Sequence, residues 1–164
     1  MATPLSITEE FPASPAAVYA LYTDADFLQS RLEDCGALDP KVLGVSTEDD
    51  AVTTVTQQSI PASILPSMVS SMMSGDPVTE RTETWRADGD GYLADFSVTI
   101  KGAPASLKGT MALTPSDSGT TLAVNGQASV PIPLFGGKIE QTVVEQVGQL
   151  INIESDYTRR RLAG

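Results

Sequence analysis

The chain begins with a segment in which apolar and polar side chains alternate. Leu5 and Ile7 alternate with Ser6 and Thr8, and a period of two is typical of a strand with one buried face. We therefore predict a first strand over residues 5–11.

Two short helices are predicted directly after this strand. Ser14 precedes Pro15; a serine oxygen can cap a free N–H, and proline at the first helical position has no N–H to leave unpaired. Asp24 is a second cap, and Gly36 ends the helix that it opens. Residues of that second helix at helical spacing are Phe27, Leu28, Arg31 and Leu32.

The middle of the chain consists of strand-like runs rich in Val, Thr and Ile, separated by turn residues such as Asp88-Gly89-Asp90-Gly91. The short turns indicate antiparallel hairpins, because a parallel crossover requires a dozen or more residues. The predicted strands lie near 41–46, 51–59, 77–86, 91–101, 105–115 and 119–130.

One segment of this region has helical rather than strand periodicity. Between Pro61 and Gly75, Ile64, Met68 and Met72 recur at spacings of four, which predicts a short amphipathic helix. Methionine side chains adapt to varied apolar shapes, so this helix is a candidate lid over a pocket. The alternative is a small satellite core beneath a long connection.

The last segment has an uninterrupted helical pattern. Apolar residues including Val147 and Ile151 repeat with helical period after Gly136-Gly137, and no proline follows. We predict one helix over 137–162, with Gly148 as its weakest point. Val147 and Ile151 are expected to contact Phe96 or Leu122 across the interior.

A curved antiparallel sheet around such a helix has more inner surface than the helix can fill, so a cavity between them is the expected ligand site. Strand alternation predicts which side chains point inward. The alternative is that these side chains form ordinary core. Predicted inward positions used as candidate ligand contacts are Tyr92, Phe96, Val98, Met111 and Leu122.

The strand around Trp85 adds candidate polar groups. If Trp85 faces inward, period two also carries Glu83 and Arg81 inward. Buried charge is costly unless partnered, so an Arg81–Glu83 pair would be a polar anchor for a ligand headgroup. The alternative is that Trp85 lies at the sheet end and both charges are solvated.

Two carboxylates share one stripe of the last helix. Glu140 and Glu154 lie about 21 Å apart along the axis, too far to share a proton or to form a glycosidase pair. We interpret Glu140 as a complement to the helix dipole and Glu154 as a surface or rim residue.

Composition excludes several classes of function. The formal net charge is −11, which disfavours nucleic acid and anionic membranes as partners. The absence of histidine removes the usual general base and the commonest metal ligand. Cys35 is the single cysteine and is interpreted as an inert thiol. We expect no cofactor, no metal and no membrane span.

The amino terminus Met1-Ala2-Thr3-Pro4 lacks the basic and then apolar run of a signal peptide. A cytoplasmic protein, present either as a monomer or as a homodimer, is therefore the expectation.

Several stretches of the chain resemble the START-like, helix-grip superfamily, and within it an actinobacterial family of unknown function. The matching stretches are FPASP at 11–15, YTD at 22–24, TETW at 82–85 and PLFGGKIE at 133–140. This resemblance covers essentially the whole chain. It implies a single α+β helix-grip domain over 1–164, with about seven antiparallel strands around the last helix, and it implies no reaction.

Three functions follow as hypotheses. The first is binding of a small apolar or amphipathic ligand, such as a lipid, a fatty acyl chain or a polyketide-like compound. The second is a polyketide cyclase or aromatase, in which Arg81, Glu83 and Tyr92 orient the substrate and move protons. The third is a protein-interaction module. One ionisable group on the pocket wall favours binding, several favour catalysis, and a filled interior favours interaction.

Overall fold

The structure is a computed structural model that describes residues 2–61, 63, 67, 71 and 75–164. A strand, two short helices, six further strands and a long helix follow one another along the chain, which confirms the predicted α+β order. The elements are β1 (Ala2–Phe11), α1 (Pro15–Tyr22), α2 (Ala25–Asp34), β2 (Leu38–Glu48), β3 (Ala51–Ser59), β4 (Val78–Asp88), β5 (Gly91–Ile100), β6 (Ser106–Ser116), β7 (Gly119–Ser129) and α3 (Gly136–Leu162).

The seven strands form one antiparallel sheet in the order β1-β7-β6-β5-β4-β3-β2. Six of them follow one another as neighbours, and β1 crosses to the far edge to pair with β7. The register places Glu83 opposite Phe96 and Trp85 opposite Ala94. The strands begin earlier or end later than predicted at several places, most clearly in β2, where the ladder with β3 is interrupted by register shifts.

The two short helices begin at the predicted caps. Ser14 Oγ accepts a hydrogen bond from the Ala17 N–H at 3.2 Å, and Asp24 Oδ2 accepts one from the Phe27 N–H at 3.1 Å. Gly36 follows α2 with φ of 85°, a left-handed conformation that favours glycine. These local signals fix where α1 and α2 begin and where α2 ends along the chain.

The last helix, α3, is unbroken from Gly136 to Leu162, as predicted. Gly148 does not interrupt it, and a Cβ at that position would lie 3.7 Å from Ile7 Cδ1 of β1. Three arginines lie in its last turn, where they complement the negative end of the helix dipole. The helix therefore provides a continuous surface facing the sheet.

Most of the predicted lid segment over 61–75 lies outside the residues that the structure describes. Met68 and Met72 lie outside the described residues, so the short helix over 61–75 and the methionine lid stay predictions.

Among the helices built from described residues, none has both the length and the apolar character required to cross a membrane.

The two ends of the space between sheet and helices are filled differently. At one end, large side chains from α1, α2 and the sheet leave no space; the most completely buried include Phe11, Val18, Phe27, Trp85 and Leu113. At the other end, where β3 and β5 finish and β4 and β6 begin, a cavity remains.

Candidate functional site

A cavity of about 270 Å³ lies between the sheet and α3. Its wall is formed by inward positions of β3 to β7, by the inner face of α3 and by Leu32 of α2. The apolar side chains that line it are Leu32, Ile60, Phe96, Val98, Ile100, Ala105, Leu107, Met111, Val124, Val143, Val147, Leu150, Ile151 and Ile153. The polar ones are Thr56, Gln58, Thr79, Arg81, Ser106, Thr142, Gln146 and Gln149.

The strand and helix periodicities of the sequence explain which side chains form this wall. Phe96, Val98 and Ile100 alternate along β5, and Val147 and Ile151 are one turn apart on α3. Within the described parts of the chain, Arg81 is the only ionisable side chain on the wall. The cavity is therefore apolar with one charged group and a set of neutral hydroxyl and amide groups.

Half of the candidate ligand contacts lie on this wall. They are Arg81, Phe96, Val98, Met111, Val147 and Ile151. Glu83, Trp85, Tyr92 and Leu122 do not line it, which corrects their assignment as direct ligand contacts. Alternation gave the face of the sheet, but the cavity occupies only one end of that face.

Trp85 and Tyr92 belong to the filled end. Trp85 is fully buried, with its ring centroid 6.2 Å from that of Tyr19 and 6.1 Å from that of Tyr22. Tyr92 stacks on Tyr19 with centroids 3.9 Å apart. Both tyrosine partners are on α1, so α1 is the reason why these aromatic side chains are enclosed by protein rather than by cavity. Leu122 is likewise buried in the core.

Arg81 is held by two carboxylates. Its Nε donates to Glu83 Oε2 at 2.6 Å, and its Nη1 donates to Glu154 Oε1 at 2.9 Å. The other oxygen of Glu83, Oε1, accepts from the Trp85 indole N–H at 3.0 Å. The Arg81 side chain is 18 % exposed, and those of Glu83 and Glu154 are 3 % and 4 % exposed. The charges are therefore interior and paired.

The interpretation of Glu154 as a surface or rim residue was wrong. Glu154 lies one turn beyond Ile151 on the inward stripe of α3, and that position places its carboxylate between two guanidinium groups. The stripe itself was visible in the sequence. The pattern did not show which cations would compensate for the burial of the Glu154 carboxylate.

Arg31 is the second of these cations and was not identified as a site residue. It is 3 % exposed, and its Nη2 lies 3.9 Å from Glu154 Oε1. Its guanidinium carbon lies 5.2 Å from the Tyr22 ring centroid and 5.8 Å from that of Phe27, within cation–π range. An arginine on the apolar face of α2 was the available signal.

These four side chains form what we call the charge cluster: Arg31 of α2, Arg81 and Glu83 of β4, and Glu154 of α3. Two positive and two negative charges make it formally neutral. It ties three elements together behind the cavity and exposes only Arg81 on the cavity wall.

The cluster changes the acidity of its members. Burial alone would raise the pKa of the Glu154 carboxyl, but the charges of Arg31 and Arg81 outweigh burial and lower it below its ordinary value of 4.5. Burial alone would lower the pKa of Arg81, but Glu154 and Glu83 raise it. Both groups are therefore held more firmly in their charged forms than they would be in the unfolded chain.

The lowered pKa of Glu154 predicts an acid-dependent loss of stability. Since the folded pKa lies below the unfolded value of 4.5, the contribution of Glu154 is present above that pH and disappears as the pH falls through the folded pKa. Glu154→Gln cannot bind this proton. Urea unfolding across this pH range should show the difference in stability between wild type and Glu154→Gln shrinking with acidification; a constant or growing difference would contradict the argument.

Glu140 is a buried structural group rather than a complement to the helix dipole, which corrects the earlier interpretation. It lies beyond the first turn of α3 and is 2 % exposed. Its Oε2 accepts from the Val130 N–H at 2.9 Å and its Oε1 from the Thr3 hydroxyl at 2.9 Å. Glu140 therefore fastens the start of α3 to the ends of β1 and β7.

A smaller cavity of about 170 Å³ adjoins the first. Leu32, Gln58, Ile60 and Leu150 line both cavities, so these side chains form a partition between them. Cys35 and Glu154 also line the smaller one. Burial raises the pKa of the Cys35 thiol, which keeps it in the less reactive protonated form.

Neither cavity has the features of a metal centre. No group of three or more Cys, Asp or Glu side chains in the part of the chain that the structure describes could hold a metal ion. The carboxylates nearest the cavity, those of Glu83 and Glu154, form ion pairs with Arg81.

Comparison with known proteins gives a family and a fold. Residues 6–162 match the model of a family described as "Protein of unknown function (DUF2505)". An uncharacterized protein of Mycobacterium tuberculosis (strain ATCC 25618 / H37Rv) is 30 % identical over 160 residues, covering 93 % of this chain and 92 % of the relative.

Two solved structures share the fold at low identity. A START superfamily protein from Mycobacterium smegmatis superposes with a TM-score of 0.61 at 11 % identity, covering 96 % of this chain and 97 % of that one. The Zhui aromatase/cyclase from Streptomyces sp. R1128 superposes with a TM-score of 0.62 at 11 % identity, covering 99 % and 96 %. The predicted START-like, helix-grip fold is confirmed.

Proposed function

This chain belongs to the DUF2505 family and has the START-like fold, and from that premise we propose that it binds a small apolar or amphipathic molecule in the cavity between the sheet and α3. The observation that carries the proposal is the composition of the wall. Apolar side chains from β3 to β7 and α3 surround the space, and Arg81 is the single ionisable group among the described lining residues. Such a wall binds a ligand by burying apolar surface and orients it through few polar groups.

The size of the cavity limits the ligand. Its volume of about 270 Å³ lies just below the usual range for small-molecule pockets, about 300–1,000 Å³. A single medium-length acyl chain or a compound of two or three rings fits this space better than a two-chain lipid. The interior is also not filled, which argues against the function of a protein-interaction module with a solid core.

The same wall argues against cyclase or aromatase chemistry. Proton transfer needs a side chain that gains and loses a proton within reach of the substrate, and an arginine stays protonated. Glu83 and Glu154 are bound to Arg81, and neither Glu83 nor Tyr92 lines the cavity. Arg81, Glu83 and Tyr92 therefore do not converge on the cavity as a catalytic group would. Binding is the better supported function.

Filling the cavity tests the proposal. Val147→Trp places an indole in the space from the inner face of α3, whereas Gln141→Trp places the same side chain on an exposed position of the same helix. The neutral fluorescent probe N-phenyl-1-naphthylamine should bind the wild type and Gln141→Trp alike. Val147→Trp should weaken binding by about tenfold or more, a loss of about 1.4 kcal/mol.

Probe fluorescence titration measures these affinities, and circular dichroism checks that each variant is folded. Equal binding by both tryptophan variants would place the probe elsewhere and overturn the proposal. The natural ligand is sought separately, by native mass spectrometry of protein purified from its own host.

A further inference from the structure

We propose that the cavity selects ligands whose polar end is an uncharged hydrogen-bond acceptor, such as an ester, a ketone or an alcohol oxygen, and discriminates against carboxylates. This inference rests on the proposed binding function and names the class of ligand. It follows from the hydrogen bonds of Arg81 and from the charge of the cluster that holds it.

Arg81 has a donor left for a ligand. Its Nε and Nη1 atoms donate to Glu83 and Glu154, while Nη2 has no acceptor among the residues that the structure describes. The side chain is 18 % exposed and lines the cavity. A guanidinium has donors and no acceptor, so the group that completes its hydrogen bonds must be an oxygen or nitrogen with a free lone pair.

The positive charge of Arg81, in contrast, is already balanced. Arg31 and Arg81 face Glu83 and Glu154 in one cluster, so the cluster carries no net charge for a ligand to neutralise. A ligand carboxylate at Nη2 would be attracted by Arg81 and repelled by the two carboxylates bound to the same guanidinium. Its desolvation in an apolar cavity would go uncompensated.

The rest of the described wall offers no substitute cation. Its remaining polar groups near Arg81 are neutral, with Thr56 opposite Arg81 on β3 and Thr79 two residues before it on β4. The net charge of the chain is −11, which adds a field unfavourable to anions. Hydroxyl and amide groups suit an uncharged polar end, whereas a carboxylate would be left without a counterion.

A matched series of ten-carbon ligands tests the inference on the wild type. Decane, methyl decanoate, decan-1-ol and sodium decanoate are compared by displacement of N-phenyl-1-naphthylamine at neutral pH, where a fatty carboxyl is ionised. The ester and the alcohol should bind more tightly than decane, because each can accept a hydrogen bond from Arg81 and decane cannot. Both should bind about tenfold or more tightly than decanoate.

Removing one carboxylate should change the preference. Glu154→Gln keeps an oxygen for Arg81 Nη1 and gives the cluster a net charge of +1, so the affinity for decanoate relative to the ester should rise by about tenfold. Glu145→Gln removes the same charge from an exposed position of α3 and should leave the ratio unchanged. An equal rise in both variants would assign the effect to overall charge and overturn the inference.

The wild-type series decides the matter even if Glu154→Gln does not fold. Decanoate binding as tightly as the ester, or the ester binding no better than decane, would overturn the inference while leaving the cavity as a binding site. Failure of the neutral probe itself to bind would overturn the proposed function, so the two failures are distinguishable.

Discussion

Arg81→Met is expected to lower the free energy of unfolding by about 3–5 kcal/mol, the range observed when one member of a buried ion pair is removed. The reason is that Glu83 and Glu154, which are 3 % and 4 % exposed, both lose their closest cation. Arg31 remains 3.9 Å from Glu154 but forms no ion pair with Glu83. Urea unfolding followed by circular dichroism measures the loss.

The same strand supplies a matched control. Arg86 pairs with Asp95 at 3.1 Å, but the two side chains are 46 % and 65 % exposed, and an exposed pair of this kind contributes less than about 1 kcal/mol. Arg86→Met should therefore change stability little. Similar losses in the two variants would show that Arg81 is solvated and would remove the basis for the charge cluster.

Removing Glu83 together with Arg81 should not restore the stability. Replacement of a complete buried ion pair or triad by apolar groups is often neutral, but this double change removes only part of the network and leaves Arg31 and Glu154 in place. The Trp85 indole N–H would lose its acceptor, Glu83 Oε1, and Glu154 would still lack the guanidinium that now lies at 2.9 Å. The wider network is the unit that contributes to stability.

Glu140→Ala is expected to lower the free energy of unfolding by about 2–4 kcal/mol, because it removes two charge-assisted hydrogen bonds. The Val130 N–H and the Thr3 hydroxyl, which now donate to this carboxylate at 2.9 Å each, would lose their partner. Since Glu140 is 2 % exposed, water cannot replace the carboxylate without rearrangement. Chemical denaturation gives the difference directly.

An exposed glutamate on the same helix provides the control. Glu145→Ala removes a carboxylate from the solvent side of α3 and should change stability by less than about 0.5 kcal/mol. If Glu140→Ala behaved in the same way, the two hydrogen bonds of Glu140 would contribute nothing measurable and its structural role would be contradicted.

The fold was predictable because its signals are local. Caps at Ser14 and Asp24 fixed the two short helices, and the helical period of α3 persisted through Gly148. Strand alternation correctly grouped side chains by face, since Trp85, Glu83 and Arg81 all point away from solvent. Each of these inferences needs only residues that are close in sequence.

The site was less predictable because it depends on which distant elements meet. Alternation cannot tell which end of a sheet face is covered, and α1 covers the end that contains Trp85 and Tyr92. Nor can it tell that Arg31, Arg81 and Glu154, which come from three elements, converge. A charged residue on an apolar face is a visible anomaly, but its partner is a property of the tertiary structure.

The pairing of β1 with β7 has a consequence for how the cavity comes into existence. Ala2 pairs with Ser129 and Phe11 with Thr120, whereas the other strand pairs join neighbours along the chain. Closing so long a loop loses conformational entropy before the β1–β7 contacts can offset the loss, and contacts between residues far apart in sequence slow folding. During synthesis, the hairpins of the cavity wall can form while β1 is still unpaired, because β7 and then α3 follow them along the chain. The cavity is therefore complete only after both of these later elements have joined β1.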